Sequence, residues 1–181
     1  MIFTPTPLPG SYVIDLEPVS DKRGWFARFF CKNEFLQIGH QKEWVQMNHS
    51  LTIKTGTIRG MHFQSPPHRE IKMVRCVAGA VYDVMIDLRT NSASFLQWWG
   101  IELSARNKQM LYIPEGFAHG FQALSDNSEL IYHHTSFYTP GAEGGLRYND
   151  PRLGIRWPLS VGQVSDRDAA HPLLNENFKG I

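Results

Sequence analysis

Cysteine is scarce in this chain, neither sign of charge dominates it, and no long run of apolar residues crosses it. Cys31 and Cys76 form no Cys-x-x-Cys pair, which excludes a disulfide framework or zinc ribbon and leaves free, buried thiols in a reducing compartment. A catalytic cysteine is the sharper alternative, but both lie in apolar, strand-like runs. Eighteen Lys and Arg stand against 17 Asp and Glu, a formal net charge of +1. No whole-molecule field therefore draws in nucleic acid or an anionic membrane. The N-terminal stretch from Met1 to Pro7 is too broken by proline for the apolar part of a secretory signal, and no segment is apolar for long enough to cross a bilayer. These absences point to a cytoplasmic protein with neither nucleic acid nor membrane as partner.

The 181 residues, 42% hydrophobic and 19% charged, fit one globular domain spanning residues 1–181. Fifteen glycines, 11 prolines and many β-branched or aromatic residues indicate short strands separated by turns. Strands are expected at Tyr12 to Leu16, Trp25 to Phe30, Trp44 to Ser50, a central one opened by Gly56, Lys72 to Val77, Val81 to Leu88, Trp98 to Leu103, Met110 to Ile113, Phe121 to Leu124, Glu129 to Thr135 and around Phe137-Tyr138. Along Val81 to Leu88, alternation puts Tyr82, Val84, Ile86 and Leu88 on one face and Asp83 and Asp87 on the other. Lys32 to Ile38 is the early helix, with Asn33 as N-cap and Gly39 as stop, and Ser165 to Asp168 opens a capped turn before Pro172. About ten strands without a βαβ rhythm predict an all-β antiparallel jelly roll, sandwich or barrel.

The chemistry gathers at Arg59-Gly60-Met61-His62-Phe63-Gln64 and at Lys72. A cupin-type metal centre wants His-x-His, and here the second imidazole is the amide of Gln64. Pro114-Glu115-Gly116-Phe117-Ala118-His119 supplies a second good imidazole, one short of the three protein ligands usual at a catalytic zinc. His133 and His134 are neighbours on a strand and cannot both bind one ion. The cofactor-free alternative is proton abstraction beside a ketone. Imidazoles ordinarily titrate near ~6.5, so His62 is available as a neutral base. The Lys72 ammonium stabilises the enolate, and Tyr132, on one face with Leu130 and His134, returns a proton from the opposite side. An orienting carboxylate is required behind the base, and spacing leaves both Asp168 and Asp83 open. Strict alternation sets Arg59 and His62 on opposite faces, so either Gly60 forms a bulge or Arg59 points to a second subunit.

These segments, with Lys72-Met73-Val74-Arg75, Val81-Tyr82-Asp83-Val84, Glu102-Leu103-Ser104, Tyr132, Asp150-Pro151, Gly154-Ile155 and Trp157-Pro158, run in the order and spacing of the dTDP-4-dehydrorhamnose 3,5-epimerases, and the chain resembles that family from about Pro18 to Leu174. The resemblance implies a jelly-roll homodimer with exchanged N-terminal strands. It implies epimerisation without metal or other cofactor of a dTDP-linked or otherwise nucleotide-linked 4-keto-6-deoxyhexose. By position it makes His62 the base, Asp168 its partner, Tyr132 the acid and Lys72 the enolate stabiliser. It assigns Arg59, Arg23, Gln46, Asn48 and His119 to the nucleotide diphosphate and sugar, Phe26 to the nucleobase and Tyr138 to the sugar or nucleotide end, with Arg23 and Phe26 reaching the neighbouring subunit's pocket. Two positions depart from the family pattern: Arg28 replaces a glutamate near the nucleotide, and His133 replaces the lysine after the acid. The competing expectations are inversion at one carbon only on a different sugar nucleotide, a metal-dependent cupin oxygenase or isomerase, and a non-catalytic sugar-binding module.

Overall fold

The computed structural model describes residues 1–181. The alternating segments become thirteen strands: β1 (Ile2–Pro5), β2 (Tyr12–Asp15), β3 (Val19–Asp21), β4 (Gly24–Phe26), β5 (Gln46–Thr52), β6 (Ile58–Gln64), β7 (Lys72–Ala78), β8 (Ala80–Asp87), β9 (Trp98–Ser104), β10 (Met110–Ile113), β11 (Phe117–Ala123), β12 (Ser128–His134) and β13 (Glu143–Gly145). Two short helices accompany them, α1 (Lys32–Phe35), continued by a 3-10 turn over Leu36–Ile38, and α2 (Asp166–Ala170). A six-stranded sheet runs β1-β2-β10-β7-β12-β5, a five-stranded sheet runs β13-β6-β11-β8-β9, and β3 and β4 pair only with each other. All the ladders between strands are antiparallel.

Two-residue alternation sorts the side chains into layers. Val74 and Cys76 of β7, Leu130 of β12, Leu111 of β10, and Val81 and Met85 of β8 meet in the apolar core. Met73, Met110 and Ile14 face the other way and are covered by Phe35. On the outer face of the five-stranded sheet, Val84, Ile86, Leu88 and Ala118 are covered by the C-terminal segment through Leu146, Leu153 and Trp157. The middle of the five-stranded sheet is thus covered on both faces, which is why every residue of β11 is buried. Each fully buried aliphatic side chain contributes about 1.5–3 kcal/mol.

Several expectations are corrected here. The strand expected over Trp25 to Phe30 stops at Phe26, because Phe29 and Phe30 turn away to pack on His133, Phe35 and Trp44. Asn33 is not the N-cap; Cys31 is, since Phe35 N–H already bonds Cys31 O and no side chain caps the turn. Gly39 ends the helical stretch at φ 76°, as expected. Phe137-Tyr138 is not a strand: Gln64 Nε2 donates to Phe137 O and Gln64 Oε1 accepts from Thr139 N–H, so a side chain holds this segment in place of a ladder. The proline-broken N-terminus does form β1, against β2. Cys76 is buried, but Cys31 is only partly so.

Candidate active site

The space between the sheets is graded. Along the inward faces, Val74 and Cys76 lead to Lys72 on β7, and Leu130 leads to Tyr132 and His134 on β12. At this polar end lies an open cavity of about 1030 Å³, lined by Gln46, Asn48, Arg59, His62, Lys72, His119, Tyr132, Tyr138 and Asp168 among others. His62 on β6 and Lys72 on β7, strands of different sheets, therefore share one cavity. Nine of the twelve residues assigned from the sequence come together there. Arg23 and Phe26 do not; they lie on the exposed β3–β4 hairpin, where Arg23 pairs with Asp21 at 2.5 Å. Arg28 is also outside, its Nη1 donating to Glu34 Oε1 at 2.7 Å.

Gly60 resolves the facing of Arg59 and His62. Against β11, His62 pairs with His119 but Arg59 with Phe121, so β6 carries one extra residue and a bulge turns both side chains into the cavity. Gly60 has φ +117°, and a Cβ there would lie 2.5 Å from Gly120 Cα. No other residue fits that approach. Its amide donates to Asp168 Oδ2 at 3.1 Å.

Asp168 arrives from the opposite end of the chain. A parallel bridge between Ile58 and Val164 lays the C-terminal segment beside β6, and Ser165 Oγ caps α2 by accepting the Asp168 N–H at 3.1 Å. The Asp168 carboxylate then meets His62 Nε2 at 2.8 Å. Burial by itself would raise this carboxyl, but the His62 and Gly60 hydrogen bonds and the nearby charges, including Arg167, hold it down at about 2. An ionised Asp168 requires a proton on Nε2. The 3.2 Å contact of Arg167 Nη2 with that nitrogen is then not a hydrogen bond, and Nδ1 carries the free lone pair. The other carboxylate that spacing allowed, Asp83, serves a different imidazole: it accepts from His119 Nε2 at 2.8 Å and is fully buried.

Burial raises the Tyr132 phenol, only partly offset by its bond with Ser50. Lys72 Nζ lies 3.1 Å from Glu70 Oε1, whose other oxygen takes His134 Nδ1 at 2.7 Å. Burial works against the ionised Glu70, but His134 and Lys72 prevail and its carboxyl titrates below the ordinary value. Glu70 and Ser50 were not singled out from the sequence, and His134 was placed on the Tyr132 face without a role; alternation from Asn48 would have found Ser50, whereas Glu70 precedes its strand. Glu143 and Arg167, paired at 3.0 Å beside His62, carried no such signal. His133, the departure that follows Tyr132, faces away from the cavity against Phe29 and Trp44, and burial lowers its imidazole.

One donor set invites a metal: His62, Asp168 and His171, whose ligand atoms lie within 4.8 Å of one another. The Arg167 guanidinium already sits against two of them, 3.2 Å from His62 and 3.5 Å from Asp168. The cupin positions are also engaged, the Gln64 amide by backbone groups and His119 by Asp83. These residues do not fit a divalent cation.

The sequence profile of the dTDP-4-dehydrorhamnose 3,5-epimerases matches residues 5–176. The chain is 42% identical over 178 residues to the dTDP-4-dehydrorhamnose 3,5-epimerase of Salmonella typhimurium, covering 97% of each. Among solved structures it is similar to the epimerase of Legionella pneumophila in complex with dTDP-4-keto-L-rhamnose (TM-score 0.91, 38% identity, 97% of this chain and 94% of that one). It is also similar to a 3'-monoepimerase from Streptomyces bikiniensis in complex with dTDP-quinovose (TM-score 0.87, 32% identity, 93% and 86%).

Proposed function

The chain belongs to the dTDP-4-dehydrorhamnose 3,5-epimerase family, and from that membership we propose how its cavity inverts C3 and C5 of a dTDP-linked 4-keto-6-deoxyhexose. It is an isomerase-class enzyme, a carbohydrate epimerase. His62 takes the proton beside the ketone through Nδ1, and Asp168 stabilises the imidazolium that results. Lys72 stabilises the enolate at the ketone oxygen, where a preorganised, nearly buried charge is worth more than in water. Tyr132 protonates the carbon from the other side. No metal or organic cofactor takes part. Arg59, Gln46, Asn48, His119 and Tyr138 hold the diphosphate and sugar. The observation that carries this assignment is the 2.8 Å His62–Asp168 contact opening on the same cavity as Lys72 and Tyr132.

The whole of residues 1–181 acts as one domain, and two chains form a homodimer. Support comes from the outward face of edge strand β5, where Met47, Leu51 and the following Ile53 are exposed. It comes also from the hairpin β3–β4, which joins neither large sheet and exposes Val19, Trp25 and Phe26. Exchange of that hairpin carries Arg23 and Phe26 to the neighbouring cavity. Arg28 follows only by leaving Glu34. β1 and β2 stay paired within their own sheet. The free thiols Cys31 and Cys76 suit the cytoplasm.

The test is turnover of dTDP-4-keto-6-deoxyglucose in deuterated water. Deuterium at both C3 and C5, abolished in His62→Ala, is the expected result. Deuterium at one carbon makes the enzyme a monoepimerase like its Streptomyces relative, and none at either removes the enolisation mechanism.

A further inference from the structure

The Tyr132 hydroxyl has a single hydrogen-bond partner, Ser50 Oγ at 3.1 Å. The rings of His119 and His134 lie 6.2 Å from the Tyr132 ring, edge-on and stacked, but neither bonds its oxygen. Ser50 lies on β5, the outermost strand of its sheet, facing inward with Gln46 and Asn48, and is only partly buried. Ser50 and the partly buried Tyr132 both line the cavity, side by side.

We propose that Ser50 is a proton-relay residue that acts through Tyr132, reloading it with a solvent proton between inversions. This rests on Tyr132 being the acid. Each inversion forms a C–H bond with the Tyr132 proton and leaves a phenolate, while His62 gains the proton lost by the substrate. Resetting the site moves one proton from His62 to solvent and one from solvent to Tyr132, so charge balances. A resting phenol holds the proton for one inversion, and a 3,5-epimerase needs two. With the sugar filling the cavity, the Ser50 hydroxyl is the one protein group placed to give its proton to the phenolate oxygen while accepting another from water. Burial also opposes a lasting phenolate here, which makes prompt reloading necessary.

The experiment follows both inversions by NMR with enzyme in excess, for the parent, Ser50→Ala, Ser50→Thr and Ser50→Val. In the alanine variant the first inversion and deuterium uptake at its carbon stay within about threefold, KM stays within about threefold, and the second inversion slows by about 10- to 100-fold, so that the singly inverted sugar accumulates. Threonine, which keeps the hydroxyl, restores the second step; valine, its isostere without one, does not and serves if the alanine variant fails to fold. Equal slowing of both inversions and of exchange, or equal behaviour of Thr and Val, would overturn the relay. Tyr132→Phe separates the layers. If it inverts normally, the assignment of Tyr132 as acid fails; if it loses inversion while Ser50→Ala and Ser50→Val invert normally, only the relay fails.

Discussion

Replacing Asp168 by Asn changes one charge and almost no volume. The Asp168 carboxyl is held at about 2 against an ordinary 3.8, so its ionised form is worth about 2 kcal/mol to the folded state. Because its pKa is depressed, this stabilisation is present above pH ~4 and lost as pH falls from there to about 2. The side chain is only 4% exposed, so solvent screens little of it. An asparagine side chain keeps a carbonyl for the Gly60 amide, and the variant should fold, losing no more than about 2 kcal/mol at neutral pH and losing acid sensitivity below pH ~4. Catalysis is hit harder. A charge-assisted hydrogen bond is worth about 1.5–3 kcal/mol, and the asparagine amide, if its NH2 turns to His62 Nε2, selects the tautomer with the proton on the wrong nitrogen. Together these lower kcat by ~10²- to 10⁴-fold with KM nearly unchanged. The assay is the rate of deuterium uptake with saturating substrate, beside urea unfolding at neutral pH and at pH ~3. Uptake at the parent rate in a folded Asp168→Asn protein would show that the dyad is not the base.

Lys72→Met removes the ammonium while leaving Glu70 its bond to His134; deuterium uptake should fall by ~10²- to 10³-fold, with the thermal midpoint changed little. Gly60→Ala puts a Cβ against Gly120 at positive φ, so chemical denaturation should show a loss of more than ~2 kcal/mol together with weakened activity as the bulge shifts. Leu51→Glu on the exposed face of β5 should convert a dimer into monomer in analytical ultracentrifugation, and a dimer that persists would place the interface elsewhere.

The jelly roll was legible because its signal is local: glycine and proline spacing and two-residue alternation recur along the chain, and β7, β8, β10 and β12 lie where that pattern put them. Phe29 and Phe30 misled because aromatic residues mark a strand or a packing anchor alike, and their partners Trp44 and His133 are far away in sequence. Glu70 and His134 show the reverse case, polar residues whose role is visible only through each other. Roles for His62, Lys72 and Tyr132 followed from residue chemistry, and the family resemblance added the choice of Asp168 over Asp83 that spacing left open.

By itself the sequence determined the fold class, the placing of strands such as β7, β8, β10 and β12, and the set of groups able to do proton chemistry, since all of these follow from residue type and nearest-neighbour geometry. Spacing left both carboxylates open, and the tertiary structure pairs Asp168 with His62 and Asp83 with His119. It also decided that Arg59 shares a face with His62 and that Arg23, Phe26 and Arg28 stand outside the cavity of their own chain. The reason is that a hydrogen bond between residues 106 positions apart depends on sheet register and on where the C-terminal segment docks, quantities set by the packing of the whole chain.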